Sequence, residues 1–166
     1  MPRAADFECA VLPHLDAAHN LARWLVRDAV LAEDVVQDAV LRALGYFASY
    51  RGGDARAWLL RIVRHTAYDT LAARKRSAAG PLDDADGVHD GDDPEAALSR
   101  REGVGLIERA LAALPLELRE CLVLREMDEL SYKDISHVVG VPIGTVMSRL
   151  WRARRAVAPR RDGDVS

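Results

Sequence analysis

The chain is 166 residues long, 49% hydrophobic but only 5% aromatic, with 30% charged residues and a net charge of −3. That length suits one domain or two small ones, and a Leu, Val and Ala content without β-branched or aromatic runs points to helices rather than a buried sheet. No apolar run approaches the roughly 18 residues of a membrane span, and the opening "MPRAADFECAVLPHLDAAHN" lacks the charge, apolar stretch and cleavage site of a signal peptide, so a cytoplasmic protein is expected.

Cys9 and Cys121 stand far apart among apolar residues and read as two buried, unpaired thiols of a reducing compartment. The histidines make no ligand-spaced cluster with them, so no metal or other cofactor is expected. The net charge argues against a nucleic-acid partner only if it is evenly spread, and it is not. Residues 78–98, "AAGPLDDADGVHDGDDPEAAL", hold seven acidic and no basic residues, while residues 1–77 hold eleven basic against nine acidic and residues 99–166 twelve against ten. This stretch, rich in Gly, Asp and Pro, reads as a self-repelling linker.

In chain order, a first helix is expected over about residues 7–26, with Leu12, Leu15, Ala18, Ala22 and Leu25 in the core. A second, over about residues 31–44, turns Val35, Val36, Ala39, Val40 and Ala43 inward and Asp34, Gln37, Asp38 and Leu41 outward. A charged helix face is most simply solvated, but a leucine among its carboxylates has the character of a contact surface. The paired glycines of "SYRGGDARAW" break the pattern, and a third helix begins near residue 55. On it Trp58, Leu59, Ile62, Val63 and Thr66 share one arc, and Arg61, Arg64, His65 and Tyr68 the other. Cations beside rings suit single-stranded DNA, because the cations follow phosphates while unpaired bases stack.

Beyond the linker, helices are expected over about residues 94–114 and again after Pro115, the latter amphipathic through Leu118, Cys121, Leu122, Leu124 and Arg125. Then comes "SYKDISHVVGVPIGTVMSRLWRARRAV": Ser131 caps a short helix with Ile135, Val138 and Val139 inward, Gly140 takes the left-handed turn, and Pro142 suits the first position of the next helix. This is a helix-turn-helix. Its second helix packs through Ile143, Val146, Leu150, Ala153 and Val157 and offers Thr145, Ser148, Trp151, Arg152 and Arg155 outward. Thr145, Ser148 and Arg152 are placed for bases or phosphates, and Arg149, Arg154 and Arg155 for the DNA backbone.

The expected fold class is therefore all-α: two small helical domains joined by a flexible acidic linker, the second containing a helix-turn-helix. The boundaries fall at 1–77, 78–98 and 99–160, with a tail at 161–166.

With "AEDVVQDAVLRAL" at 32–44, "YRGGDARAWLLRIVRHTAYDTL" at 50–71, "ALAALPLELRECLVLREMDELSYKDIS" at 110–136 and "GVPIGTVMSRLWRAR" at 140–154, the chain resembles the extracytoplasmic-function (ECF) sigma factors of the bacterial sigma-70 family. The resemblance covers both domains in order. It implies a promoter-recognition subunit of core RNA polymerase, not an enzyme. Asp34, Gln37, Asp38 and Leu41 match the family's surface for polymerase clamp helices; Arg61, Arg64, His65 and Tyr68 match its capture of the melted minus-ten element; Ser148, Arg149, Trp151 and Arg152 match its reading of the duplex minus-thirty-five element. The linker would lie in the RNA exit path, its acidity imitating nucleic acid, and an anti-sigma factor wedged against both domains is an expected partner. Three positions depart from the family: His65 where asparagine is common, Met147 where lysine or arginine is common, and Ser136 where alanine is usual. They imply an altered base pocket, a lost phosphate contact and a hydroxyl in need of a partner. Two other readings use the same residues: a stand-alone helix-turn-helix regulator, and an interaction protein that sequesters a partner through its first domain.

Overall fold

A computed structural model describes residues 4–78 and 104–158. Most of the expected linker, the start of the helix expected from residue 94, and the tail lie outside the described residues. Among those described there is no strand, and no helix is long and apolar enough to cross a membrane.

The helices are α1 (Ala4–Val11), α2 (Leu15–Val26), α3 (Ala29–Tyr46) and α4 (Ala55–Ala78) in the first half. The second half holds α5 (Val104–Ala113), α6 (Leu116–Glu126), α7 (Tyr132–Val139) and α8 (Ile143–Val157). The single first helix expected from the sequence is two, because Pro13 lacks the N–H that would continue the ladder and the chain tightens into a 3-10 turn over Leu12–His14. Leu12, expected in the core, is carried outward by this break and is 57% exposed. Cys9, on the short α1, is likewise exposed, which corrects the expectation of a buried thiol; Cys121 is buried as expected, and both are unpaired.

Arg27 ends α2 in the left-handed region at φ 56°. The carboxylate of Asp28 at once caps α3, accepting from the backbone N–H of Val30 at 3.0 Å and Leu31 at 3.1 Å. This tight corner lets α2, α3 and α4 pack on one another through Leu21, Leu25, Val35, Leu59, Leu60 and Val63, all buried. The small Ala32, Ala39 and Ala43 of α3 keep the axes close. Gly52 and Gly53, with φ of 83° and 90°, make the turn before α4, and Asp54 caps it at the N–H of Ala57 (3.2 Å).

In the second half, Ser131 accepts from the N–H of Asp134 at 3.1 Å and Gly140 has φ 74°, so both turn residues act as the sequence requires. Pro142 sits one residue earlier than expected, in the cap position before Ile143. The Ser136 hydroxyl finds its partner in the backbone oxygen of Val141. Val146, Leu150 and Ala153 are buried, whereas Ile143, also expected inward, is 44% exposed in the first turn of α8, before that helix reaches its neighbours.

Sequence reasoning leaves the relation of the two halves open, and the structure packs them together, α2 against α6 and α4 against α7. The consequence shows on α6. An amphipathic helix is expected there, yet Arg119, Glu120, Cys121, Leu122, Val123 and Leu124 are buried in succession. One side of α6 is covered by α7 and α8 and another by α2.

Candidate nucleic-acid interface

Three surfaces carry the side chains singled out from the sequence. On α3, Asp34, Gln37, Asp38 and Leu41 are all exposed, Leu41 to 68%, with Val35, Val36 and Ala39 buried behind them. Asp38 reaches Arg42 one turn on at 3.3 Å, and Arg42 donates to Asp69 of α4 at 2.8 Å. Leu44, one turn on from Leu41, is exposed as well.

On α4, Arg61, Arg64, His65 and Tyr68 do share a face, but their environments differ. Arg61 and His65 are exposed. Arg64 is half-buried: its Nε donates to Oε2 of Glu120 at 2.7 Å and its Nη2 to Oε1 at 3.1 Å, a two-pronged ion pair across the two halves of the molecule. Its guanidinium lies 4.2 Å above the ring of Tyr68. Burial opposes the charge on Arg64, but the Glu120 carboxylate outweighs it and raises its pKa. Burial pushes the Glu120 carboxyl up from its ordinary range, against the pull of Arg64. Burial and the adjacent Glu120 also push the Tyr68 phenol up, and its hydroxyl makes no hydrogen bond of good geometry. Burial, then the neighbouring Arg61 and Arg64, hold the His65 imidazole below its ordinary pKa, so the ring is neutral at pH 7. Between α3 and α4 the side chains of Arg42, Tyr46, Ile62, Arg64, His65 and Tyr68 line a hollow with both cations and rings on its walls.

On α8, Ser148, Trp151, Arg152 and Arg155 are exposed along the outward arc, and Thr145 is half-buried at its start. The arginines grouped from sequence for the DNA backbone separate into different settings. Arg149 turns back toward Glu117 at 3.8 Å with its side chain 14% exposed. Arg154 is engaged by Glu126, through Nε at 3.1 Å and Nη2 at 2.8 Å. Arg155 stands over the ring of Trp151 at 4.7 Å, which holds a cation and an indole together at the open surface. Met147 is 52% exposed beside them.

Two stretches of the chain match family models: residues 10–77 match sigma-70 region 2, and residues 105–157 match sigma-70 region 4. The chain is 37% identical to the RNA polymerase sigma-H factor of Pseudomonas aeruginosa over 161 residues, covering 91% of this chain and 83% of that one. It belongs to the sigma-70 family. Within that family it is an ECF sigma factor, 35% identical to the ECF RNA polymerase sigma-E factor of Escherichia coli over 136 residues, 75% of this chain and 70% of that one. Among solved structures it is similar to the sigma factor RpoE of Bartonella quintana, determined in complex with the anti-sigma factor NepR, with a TM-score of 0.76, 30% identity, and coverage of 93% of this chain and 95% of that one. CnrH, solved with the cytosolic domain of CnrY, shares the fold at a TM-score of 0.65 and 24% identity, covering 93% of this chain and 86% of that one.

The polar groups that join the two sigma regions escaped sequence reasoning. Glu120 and Arg119 look like ordinary charges in "LELRECLVLRE", yet both are buried. Arg119 donates to the backbone oxygens of Trp24 at 2.8 Å and Leu114 at 3.1 Å. Arg56 donates to the backbone oxygen of Asp128 at 2.8 Å. The only hint is position, since charges that interrupt an apolar helix face require partners, and the partners that lie in the other half are 56 or more residues away in the chain.

Proposed function

We propose that this sigma factor binds core RNA polymerase through the outward face of α3, captures the opened minus-ten strand on α4 and reads the minus-thirty-five duplex with α8, without bond chemistry of its own and in the cytoplasm. Asp34, Gln37, Asp38 and Leu41 form the polymerase contact. Arg61, Arg64, His65 and Tyr68 receive the single strand: neutral His65 and the hollow beside it offer a stacking and hydrogen-bonding site for an unpaired base, while the arginines follow phosphate. Ser148 and Arg152 address base edges, Thr145 and Trp151 flank them, and Arg149 and Arg155 serve the DNA backbone, Arg149 after release from Glu117. An anti-sigma factor is the expected regulator, given that the Bartonella relative was solved with one.

The observation that carries this reading is the exposure of Leu41 among three polar α3 side chains directly over a buried Val35, Val36 and Ala39 face. A DNA-binding module acting alone has no use for it. The test is transcription from a promoter library with purified chain and bacterial core polymerase. Sequence-selective initiation dependent on the chain is the expected result; selective DNA binding without core, and no initiation with it, would make the chain a stand-alone regulator.

A further inference from the structure

On α8, Gly144, Met147, Ser148 and Trp151 fall at i, i+3, i+4 and i+7, so they share one patch of the helix surface, and all four are exposed. Ile143, exposed as well, stands one turn before Met147. Single apolar residues at a surface are ordinary, but Ile143, Met147 and Trp151 recur every fourth residue and run alongside the arc of Ser148, Arg152 and Arg155. Met147 and Trp151 meet at a hollow that Tyr132, Arg154, Arg155 and Ala158 also line. Gly144 points to what approaches this stripe. Glycine forms helices less readily than alanine, and a methyl group added here would meet nothing within 4 Å. Packing among the described residues therefore gives no reason for a bare position, whereas a close approach from outside does.

The cations beside the stripe suit a polyanion, and Gly144 and Met147 lie in the N-terminal half of the second helix of the turn motif, the half that meets base edges in a major groove. There an uncharged thioether has one good partner. Thymine alone turns a methyl group toward the major groove, beside its O4 acceptor, whereas cytosine presents an amino donor. Methionine is flexible and polarisable enough to follow such a methyl, and a lysine or arginine in its place would go to phosphate or guanine instead. We propose that Met147 is a specificity-determining residue for the upstream element: its side chain, with the Trp151 ring beside it one turn on, packs against the 5-methyl group of a thymine, so that this base is selected by its methyl rather than by a hydrogen bond. This rests on the duplex-reading role of α8 given above.

The test uses the full chain assembled with core polymerase, and a promoter duplex whose upstream element comes from the library transcription above. Each thymine of that element is replaced singly by deoxyuridine, which removes the methyl and keeps O4 and the base pairing. Competition binding at two salt concentrations gives the relative affinities. Met147 is exposed, so its substitutions leave the core untouched, and circular dichroism checks that helix content is kept. At one thymine, conversion is expected to weaken binding by about threefold to fivefold, the scale of one buried methyl group. Met147→Ala should bind the two duplexes alike, as weakly as the parent binds the deoxyuridine one. Met147→Leu should keep the preference, and Met147→Arg should lose it and steepen the salt slope by about one. An element without thymine, no penalty at any deoxyuridine, or a penalty that survives Met147→Ala overturns the proposal; the last, with both duplexes weakened equally, assigns the stripe to a protein contact. Arg152→Ala on single-base variants keeps the two readings apart. If it relaxes base preference while Met147→Ala is silent, α8 reads the duplex without Met147, and if neither has an effect the duplex-reading role falls as well.

Discussion

Arg152 and Arg155 lie within one turn of each other on α8, both exposed, yet physical chemistry assigns them different work. Arg152 projects beside Ser148 opposite the buried Val146 and Leu150, whereas Arg155 is held over Trp151 nearer the end of the helix. A bidentate base contact carries roughly 1–3 kcal/mol of discrimination, while a phosphate contact weakens all sequences alike and lowers the salt slope by about one. Arg152→Ala is therefore expected to flatten preference among single-base variants of the upstream element, and Arg155→Ala to depress them all in proportion. Binding titrations over those variants at two salt concentrations measure both. A uniform loss for Arg152→Ala would reduce it to an electrostatic anchor. Two residues near the start of the chain lie outside the core that the sequence suggests for them. Leu12 fits a helical core stripe by spacing, but the break at Pro13 separates it from Ala18, Ala22 and Leu25 and leaves it exposed, and Cys9 lies on the short helix before the break.

At the scale of elements, α3 shows how one helix serves packing and contact at once, because the two sets of residues occupy opposite arcs. Replacing Asp34 and Asp38 by lysine reverses the charge of the outward arc without touching Val35, Val36 or Ala39. The pair between Asp38 and Arg42 is lost, but an exposed pair one helical turn apart contributes only about 0.3–0.5 kcal/mol, so the helix persists. Core polymerase affinity is expected to fall at least about tenfold, with circular dichroism unchanged; affinity retained would remove this face from the account. The turn motif makes a second prediction. Ser131 supplies a side-chain acceptor to the first turn of α7, and Ser131→Ala is expected to cost about 1 kcal/mol, read as a lower urea midpoint with an unchanged slope. The caps, the glycine turns and the helix-turn-helix are legible in the sequence because each is set by residues within a few positions of one another. The burial of α6 on several sides is not, because part of what covers it comes from α2, in the other half of the chain.

For the whole molecule, the contact between sigma regions leaves an electrostatic trace in Asp128. Burial pushes its carboxyl from 3.8 up to about 6, with Arg56 pulling weakly the other way, and Oδ2 is buried without a hydrogen-bond partner. The folded chain therefore holds this proton more tightly than the unfolded chain. The penalty for ionising Asp128 is absent below about pH 4, grows as the pH rises through the window to about 6, and is complete above it. Asp128→Asn is expected to raise stability at pH 7.5 by between about 1 and 3 kcal/mol, the upper figure being two pKa units with no solvent relief. The gain should vanish by pH 4. Paired urea melts of parent and variant from pH 4 to 8 measure the difference, and a gain independent of pH would assign it to packing rather than to charge.

Apart from the break at Pro13, the exposure of Ile143 and the burial around α6, sequence by itself determined the helices, their inward and outward arcs, the two-region order and the family, because helical periodicity, caps and turn residues act over short separations and repeat along the chain. It also marked the face that Asp34, Gln37, Asp38 and Leu41 present, since exposure on a helix follows from what its other arc must bury. Only the tertiary structure decided that Arg64 meets Glu120, that Arg149 and Arg154 are engaged by Glu117 and Glu126, and that region 2 lies on region 4. Those are pairings of charges between segments far apart in the chain. An arginine on an exposed arc has the same sequence signature whether it faces solvent, a phosphate or a carboxylate brought to it by the fold.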